Sequence, residues 1–217
     1  MVGSRHADVA SAKTLLIFPY NGNGREALDC LGDYYRFVGF VDDTPEKQGT
    51  DPYGHPVLSR AALIEFPDAR VLAVPGGPAS YQDRRGIIDG LKIVEPRFAR
   101  VVHPDARISP FAVIGYNVLI MAGAVITSNA VIGNHVCVLP NTVIHHDVRI
   151  GAWTLIGSNV TIAGNTVVGD NCYIGSGASI MNGLEIGDWT LVGLGTNVIR
   201  SVPAGSKVAG NPARIIP

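Results

Sequence analysis

Hydrophobic and polar positions follow two different rhythms along this chain. Through the first hundred residues, short apolar runs alternate with amphipathic stretches. The runs at 15–18, 37–41 and 71–74 read as buried strands. The stretches at 24–32, 59–66 and 80–89 read as short helices, the second with Ser59 as its N-cap. Strands alternating with helices predict a small parallel sheet of the doubly wound kind.

From Val102 onward the period is six. Stepping by six gives Val102, Ile108, Ile114, Ile120 and so on to Val198, and all 17 of these positions are Val or Ile. Four residues after each stands a second set, from Ala106 to Val202. It is small or β-branched at 16 of its 17 positions, Leu184 being the exception. An aliphatic knob every six residues, with a small residue four on, is the pattern of a triangular parallel β-helix. Each hexad supplies a short strand and a corner, and three hexads close a coil of 18 residues, so 17 hexads predict between five and six coils. Residues 18 apart then lie above one another at a strand spacing of about 4.8 Å.

Charge sharpens this division. Lys plus Arg is 17 and Asp plus Glu 18 in 217 residues, but the first 101 hold 12 basic and 13 acidic side chains and the last 116 only 5 and 5. Glycine is 26 and Val plus Ile 45, ample apolar content for packed cores, which excludes disorder. A net charge of −1 leaves no basic footprint for nucleic acid or a membrane surface. No run approaches the roughly 18 apolar residues of a membrane span, and residues 1–13 lack the apolar core of a signal peptide. Cys30, Cys137 and Cys172 are odd in number and widely spaced, and read as buried thiols of a cytoplasmic protein. Nothing ionisable near Cys137 in the sequence would make it a nucleophile.

In a half with five acids, the hexad Ile144-His145-His146-Asp147-Val148-Arg149 stands out. One coil on, Gly164 stacks over His146. A carboxylate beside a histidine fixes its tautomer and raises its basicity, and a stacked glycine leaves a backbone N–H for a carbonyl oxygen. Base and oxyanion donor one coil apart suit acyl transfer from a thioester. A solvated polar corner would carry the same three residues.

The run Asn141-Thr142-Val143-Ile144-His145-His146-Asp147, then Ile150-Gly151 and Ala163-Gly164-Asn165, resembles the bacterial nucleotide-sugar acetyltransferases of the hexapeptide-repeat superfamily. That group includes N-acetyltransferases for UDP-4-amino sugars and GDP-perosamine, and sialic acid O-acetyltransferases. The resemblance implies a left-handed β-helix at 101–217 that binds acetyl-CoA between subunits of a homotrimer, and a Rossmann-like nucleotide-sugar-binding domain at 1–100. It implies a cytoplasmic enzyme making surface-glycan sugars. His146 matches the family's base, Asp147 its acidic partner and Gly164 its acetyl-carbonyl-binding glycine. For acetyl-CoA it marks Ala163, Gly164 and Asn182 on the corner, with Lys207, Gly210, Pro212 and Arg214 in the terminal Gly-x-Pro-Ala-Arg segment. For the nucleotide-sugar it marks the turn Asn21-Gly22-Asn23-Gly24, the strand-ending Asp42-Asp43, and Gly76-Gly77. Where some members carry an Asn and a second His, this chain has Leu139 and Leu155.

Gly22 and Gly24 fall short of the full dinucleotide fingerprint, which argues against NAD. The remaining histidines, His6, His55, His103 and His135, read as terminal, turn or corner residues. None forms the triplet that a β-helical carbonic anhydrase uses for zinc, so no metal is assigned. A sugar O-acetyltransferase and a catalytically silent sugar-nucleotide-binding module are the alternative readings.

Overall fold

The structure, a computed structural model, describes residues 12–217. His6 lies outside the described residues. The N-terminal sheet contains β1 (Lys13–Phe18), β2 (Tyr35–Val41), β3 (Gly49–Thr50), β4 (Pro56–Leu58) and β5 (Arg70–Ala73), in spatial order β3-β4-β2-β1-β5. β1, β2, β4 and β5 run parallel, whereas β3 pairs antiparallel with β4. The sheet is therefore mixed. The hairpin of β3 and β4 has no alternating apolar run to announce it, because it is pinned by a buried carboxylate, Asp51.

The helices are shorter than the amphipathic pattern predicts. α1 is Gly22–Glu26, followed by a 3₁₀ turn at Ala27–Cys30; α2 is Ala62–Glu65; a 3₁₀ turn at Tyr81–Asp83 leads into α3, Arg84–Asp89. Ala61, not Ser59, holds the N-cap position of α2; Ser59 Oγ accepts the Ala61 N–H at 3.3 Å and closes the turn that precedes the helix. Each helix needs only to cover one sheet face, so tertiary packing ends it early. No helix among the described residues is long and apolar enough to cross a membrane.

From Arg100 the chain builds three sheets of eight, six and five strands, all parallel except for the final strand Arg214–Ile216, which pairs antiparallel with Lys207–Ala209. Almost all their strands are two or three residues long, and each pairs with the strand 18 residues on: Cys137↔Leu155, Val143↔Thr161, Arg149↔Val167. The Val and Ile knobs from Ile120 to Val198 fill the prism core. The second set is small because it turns the corner. At Thr142, Thr154 and Thr166 the buried hydroxyl donates to the carbonyl 15 residues on, as Thr142 Oγ1 does to Gly157 O at 2.7 Å and Thr154 Oγ1 to Gly169 O at 3.0 Å.

A third series of six also runs through the prism. Every sixth residue from Asn117 to Gly195 has positive φ, between 50° and 73°. Asn, Asp and Gly tolerate this left-handed conformation, and they occupy most of the series. His135, Trp153 and Trp189 are the exceptions, and all three lie on one edge of the prism, in a column with Asn117 and Asn171.

That column is the seam with the N-terminal sheet. The Asn117 side chain pairs with the exposed edge of β5, accepting the Ala73 N–H at 2.7 Å and donating to Ala73 O at 2.9 Å. The fully buried Arg84 donates to the carbonyls of Trp153 (2.9 Å), His135 (2.6 Å) and Pro75. Tyr81 Oη donates to Trp189 O at 3.1 Å, and Asn171 Nδ2 to Tyr81 O at 2.9 Å. Beside this seam, Leu119, Cys137, Leu155, Tyr173 and Leu191 project from the eight-stranded face into the apolar cluster of Leu15, Ile17, Leu72 and Val74. The N-terminal sheet thus covers one face of the prism.

Two sequence expectations change here. Cys137 does have an ionisable neighbour, since Arg84 Nη2 lies 3.9 Å from its Sγ, but burial outweighs that charge and raises the thiol pKa. His135 is a buried structural residue, stacked on Trp153 with centroids 5.4 Å apart and bonded through Nδ1 to Asn117 Nδ2 at 2.9 Å.

Burial, and then the Arg84 charge, push the His135 pKa down to about 4 from 6.5. Neutral His135 therefore contributes stability that is complete above the unfolded value and is lost as pH falls toward about 4. Urea unfolding midpoints should decline across that window, and His135→Gln should flatten this portion. The carboxylates with lowered pKa values, Asp42, Asp51 and Asp147, act only below about 4.

Candidate active site

His146 and Asp147 form the corner that joins Val143–Ile144 on the six-stranded face to Arg149–Ile150 on the five-stranded face. Asp147 occupies the left-handed position of that corner, with φ 60°. This backbone turn brings its carboxylate back onto the preceding side chain. His146 Nδ1 lies 2.8 Å from Asp147 Oδ2, so with the proton on Nδ1 the ring donates to the carboxylate and leaves Nε2 free. From the coil below, Asn129 Nδ2 donates to Asp147 Oδ1 at 3.2 Å. The bond from His146, then that from Asn129, lowers the Asp147 pKa. The carboxylate stays ionised and the imidazole is held in one orientation.

Gly164, on the coil above, lies against this ring. A Cβ there would stand 2.6 Å from both Cε1 and Nε2 of His146, so only glycine lets the imidazole occupy its position. The Gly164 carbonyl accepts from Gly183 N at 3.0 Å, while its own N–H has no acceptor among the described residues. Asn182, one coil further, and Ala163, beside Gly164, continue the same corner, with the exposed Met181 next to Asn182. His146 is 57 % exposed, so within one chain the base faces open solvent.

The other marked residues gather elsewhere. Gly210, Pro212 and Arg214 lie at the end of the prism, where Ala213 N donates to Asn197 O and Arg214 joins Ile199 and Arg200 around a cleft of about 440 Å³. Lys207 stands apart from them on the eight-stranded face, paired with Ile216. Leu155, buried on that same face, packs within reach of Gly76, while Leu139 follows the neighbouring strand. Neither approaches the His146 corner, which joins the other two faces.

In the N-terminal sheet, Asn21 caps α1: its Oδ1 accepts the Gly24 N–H at 2.7 Å and its Nδ2 donates to Val74 O at 3.3 Å. The Gly24 N–H is thereby used within the turn. Gly24 is also required sterically, since a Cβ would stand 2.4 Å from Pro19 O. The N–H groups of Gly22 and Asn23 have no acceptor among the described residues. Asp42 is buried, and its carboxylate accepts from Tyr20 N (3.1 Å), Thr44 N (2.9 Å) and Lys47 Nζ (3.1 Å). Burial alone would raise its pKa, but these donors outweigh it and the net shift is down. Asp43 pairs with Arg60 through two bonds. Asp42, Asp43, Lys47, Arg60 and Gly76 line a crevice of about 450 Å³ at the carboxyl ends of β1, β2 and β5. β1 has β2 on one side and β5 on the other, which makes this the switch point where open sheets bind ligands. Gly77 lies beside it with open space around its Cα.

The seam residues Tyr81, Arg84, His135, Trp153 and Trp189 carry no motif. Their signal was a His and two Trp standing where every other sixth residue is Asn, Asp or Gly.

The family model "Bacterial transferase hexapeptide (six repeats)" matches residues 129–164, the segment that holds His146, Asp147 and Gly164. Among curated proteins there is no match. Among solved structures, the acetyltransferase domain of PglB from Neisseria gonorrhoeae is 28% identical, with TM-score 0.83, over 94% of this chain and 100% of that one. The same domain has been solved with acetyl coenzyme A. PerB from Caulobacter crescentus, in complex with CoA and GDP-perosamine, is 25% identical with TM-score 0.83, covering 95% of this chain and 98% of that one. WeeI from Acinetobacter baumannii is 27% identical with TM-score 0.78, over 94% and 100%. This is a hexapeptide-repeat chain with the fold of these acetyltransferases, and its repeat and stacked parallel sheets fit a left-handed β-helix.

Gly164→Ala should displace the imidazole without disturbing the coil. It is expected to lower kcat by about 10²-fold or more, while the circular dichroism spectrum and melting temperature hold close to wild type. An active Gly164→Ala enzyme would remove Gly164 from the site.

Proposed function

We propose that this protein is an acetyl-CoA-dependent N-acetyltransferase that acts on the amino group of a nucleotide-linked sugar. The observation that carries the reading is the His146–Asp147 pair seated against a glycine with a free N–H, within the segment matched by the hexapeptide model. The likeness to the PglB domain and to PerB supports the donor and the acceptor class.

Transfer is direct. The acceptor amine attacks the thioester carbonyl as Nε2 of His146 takes one of its protons, forming the C–N bond. The carbonyl oxygen becomes an oxyanion that accepts the Gly164 N–H. Collapse breaks the C–S bond, and the proton on His146 passes to the departing CoA sulfur, which restores the base. Asp147 orients the ring and stabilises its charged form throughout. The donor lies along the corner of Ala163, Gly164 and Asn182 toward Gly210, Pro212 and Arg214.

Residues 1–100 form the Rossmann-like, nucleotide-binding unit in this reading, and residues 101–217 the catalytic prism. The diphosphate and sugar sit at the switch-point crevice, near Gly22, Asn23, Asp43, Gly76 and Gly77. That crevice adjoins the face covered by the N-terminal sheet, whereas His146 is on the opposite corner, across a core packed with Ile and Val. A sugar held there meets His146 of another copy, so the site is completed between subunits, as in a homotrimer. Leu155, close to Gly76, would then face a neighbour's donor.

A general base contributes about 10²- to 10⁴-fold, so His146→Ala and His146→Asn should each lower kcat by at least about two orders of magnitude. A loss below about tenfold would reject His146 as the base. Thiol release from acetyl-CoA with UDP-, GDP- and dTDP-linked 4-amino sugars measures this directly. Light scattering should return about three times the 22.9 kDa chain mass, and a monomer at micromolar concentration would overturn the shared site.

A further inference from the structure

A second cleft, of about 470 Å³, lies on the other side of the first turn. One wall is Gly22, Arg25, Glu26, Leu28 and Asp29, and the other is the β3–β4 hairpin with Asp51, Tyr53 and His55. We infer that this cleft is the base subsite of the nucleotide-linked substrate, that Tyr53 is its stacking platform, and that the base it selects is guanine. The inference rests on the nucleotide-sugar reading above and specifies it.

Tyr53 is 74 % exposed, so it is not held by its own packing. The loop beneath it is rigid nonetheless. The buried Asp51 carboxylate accepts the N–H groups of Tyr53 (2.9 Å) and His55 (2.8 Å) and meets His55 Nδ1 at 3.1 Å. Asp51 N donates to His55 O, and Gly54 N to Asp51 O. His55 in turn packs edge-on against Phe37 and Phe40, with centroids 5.8 and 6.1 Å apart. A rigid support that presents an aromatic ring to solvent beside a cleft is a stacking surface in waiting, since a base offers the matching π-face.

The facing wall decides which base. Glu26 and Asp29 are exposed carboxylates without an ion-pair partner among the described residues. An ionised carboxylate only accepts hydrogen bonds. Guanine presents N1–H and the exocyclic N2 amino group side by side on one edge, two donors for one carboxylate. Uracil and thymine flank a single N3–H with two carbonyl oxygens, which a carboxylate repels. Arg25, on the same wall, is turned to the Tyr20 ring, with its guanidinium 5.7 Å from the ring centroid.

Isothermal titration of the intact protein with GDP, UDP and dTDP tests each part. GDP should bind at least about tenfold tighter than UDP or dTDP. Tyr53→Ala should weaken GDP about tenfold, as loss of one stacking partner does, whereas Tyr53→Phe should stay within about twofold. Glu26→Gln with Asp29→Asn should narrow the gap between GDP and UDP. In turnover assays Tyr53→Ala should raise KM for the sugar nucleotide and leave KM for acetyl-CoA alone. Tighter binding of UDP or dTDP, or a Tyr53→Ala variant that binds GDP like wild type, overturns the inference while sparing the parent reading. Binding of no nucleoside diphosphate at all overturns both.

Discussion

A single backbone ladder holds the catalytic half together. The N–H of Cys137 donates to Thr154 O, that of Leu155 to Cys172 O and that of Tyr173 to Thr190 O, each reaching a residue 17 positions on. At each corner from Asn117 to Gly195 a residue in the left-handed conformation returns the chain, and from His135 onward its N–H donates backward, as Asp147 N does to Ser128 O. The ladder fixes an 18-residue coil, and that register places an aliphatic knob over every aliphatic knob. It also places Gly164 over His146. A slip of one residue would turn the core outward and separate the base from its glycine.

Because the corners from Asn117 to Gly195 visit the left-handed region, their chemistry favours side chains that tolerate it, and the protein draws two different uses from that restriction. On one edge the residue is Asp147, whose short acidic side chain suits both the turn and the orientation of His146. On another edge the residues are His135, Trp153 and Trp189, which do not favour the conformation. There the carbonyls of all three corners are taken by Arg84 and Tyr81, and the His135 and Trp153 rings stack on each other, while Trp189 stays exposed. Docking compensates for the local strain, and Arg84, though charged and fully buried without a carboxylate, has three carbonyl partners.

The two halves also divide the electrostatic labour. In the prism, the acids Asp105, Asp147, Asp170 and Asp188 sit on corners, whereas Arg107, Arg149 and Glu185 lie on strands. In the N-terminal sheet, the acids of the ligand edge are mostly committed: Asp42 ties β2 to the first turn and Asp51 builds the hairpin. The groups left free are backbone N–H at Gly22 and Asn23, an exposed tyrosine, and the carboxylates of Glu26 and Asp29. A carboxylate in the sequence thus says little about binding until its hydrogen-bond partners are known.

Sequence alone determined the prism, because a period of six enforced by burial repeats its constraint seventeen times, and arithmetic on those positions yields the stacking of Gly164 on His146. It also placed the alternating strands of the N-terminal sheet and the Asp-Asp at the end of β2. It could not decide which corner the sheet would cover, that Arg84 would cross to Trp153 and His135, or that residues 49–58 would close into a hairpin presenting Tyr53. The first two depend on contacts between segments far apart in the chain, and the hairpin on one carboxylate, Asp51, so no periodic signal carries any of them. Tertiary structure likewise set Asp42 and the Gly24 N–H to internal bonds, since only proximity in space reveals which polar group is already satisfied.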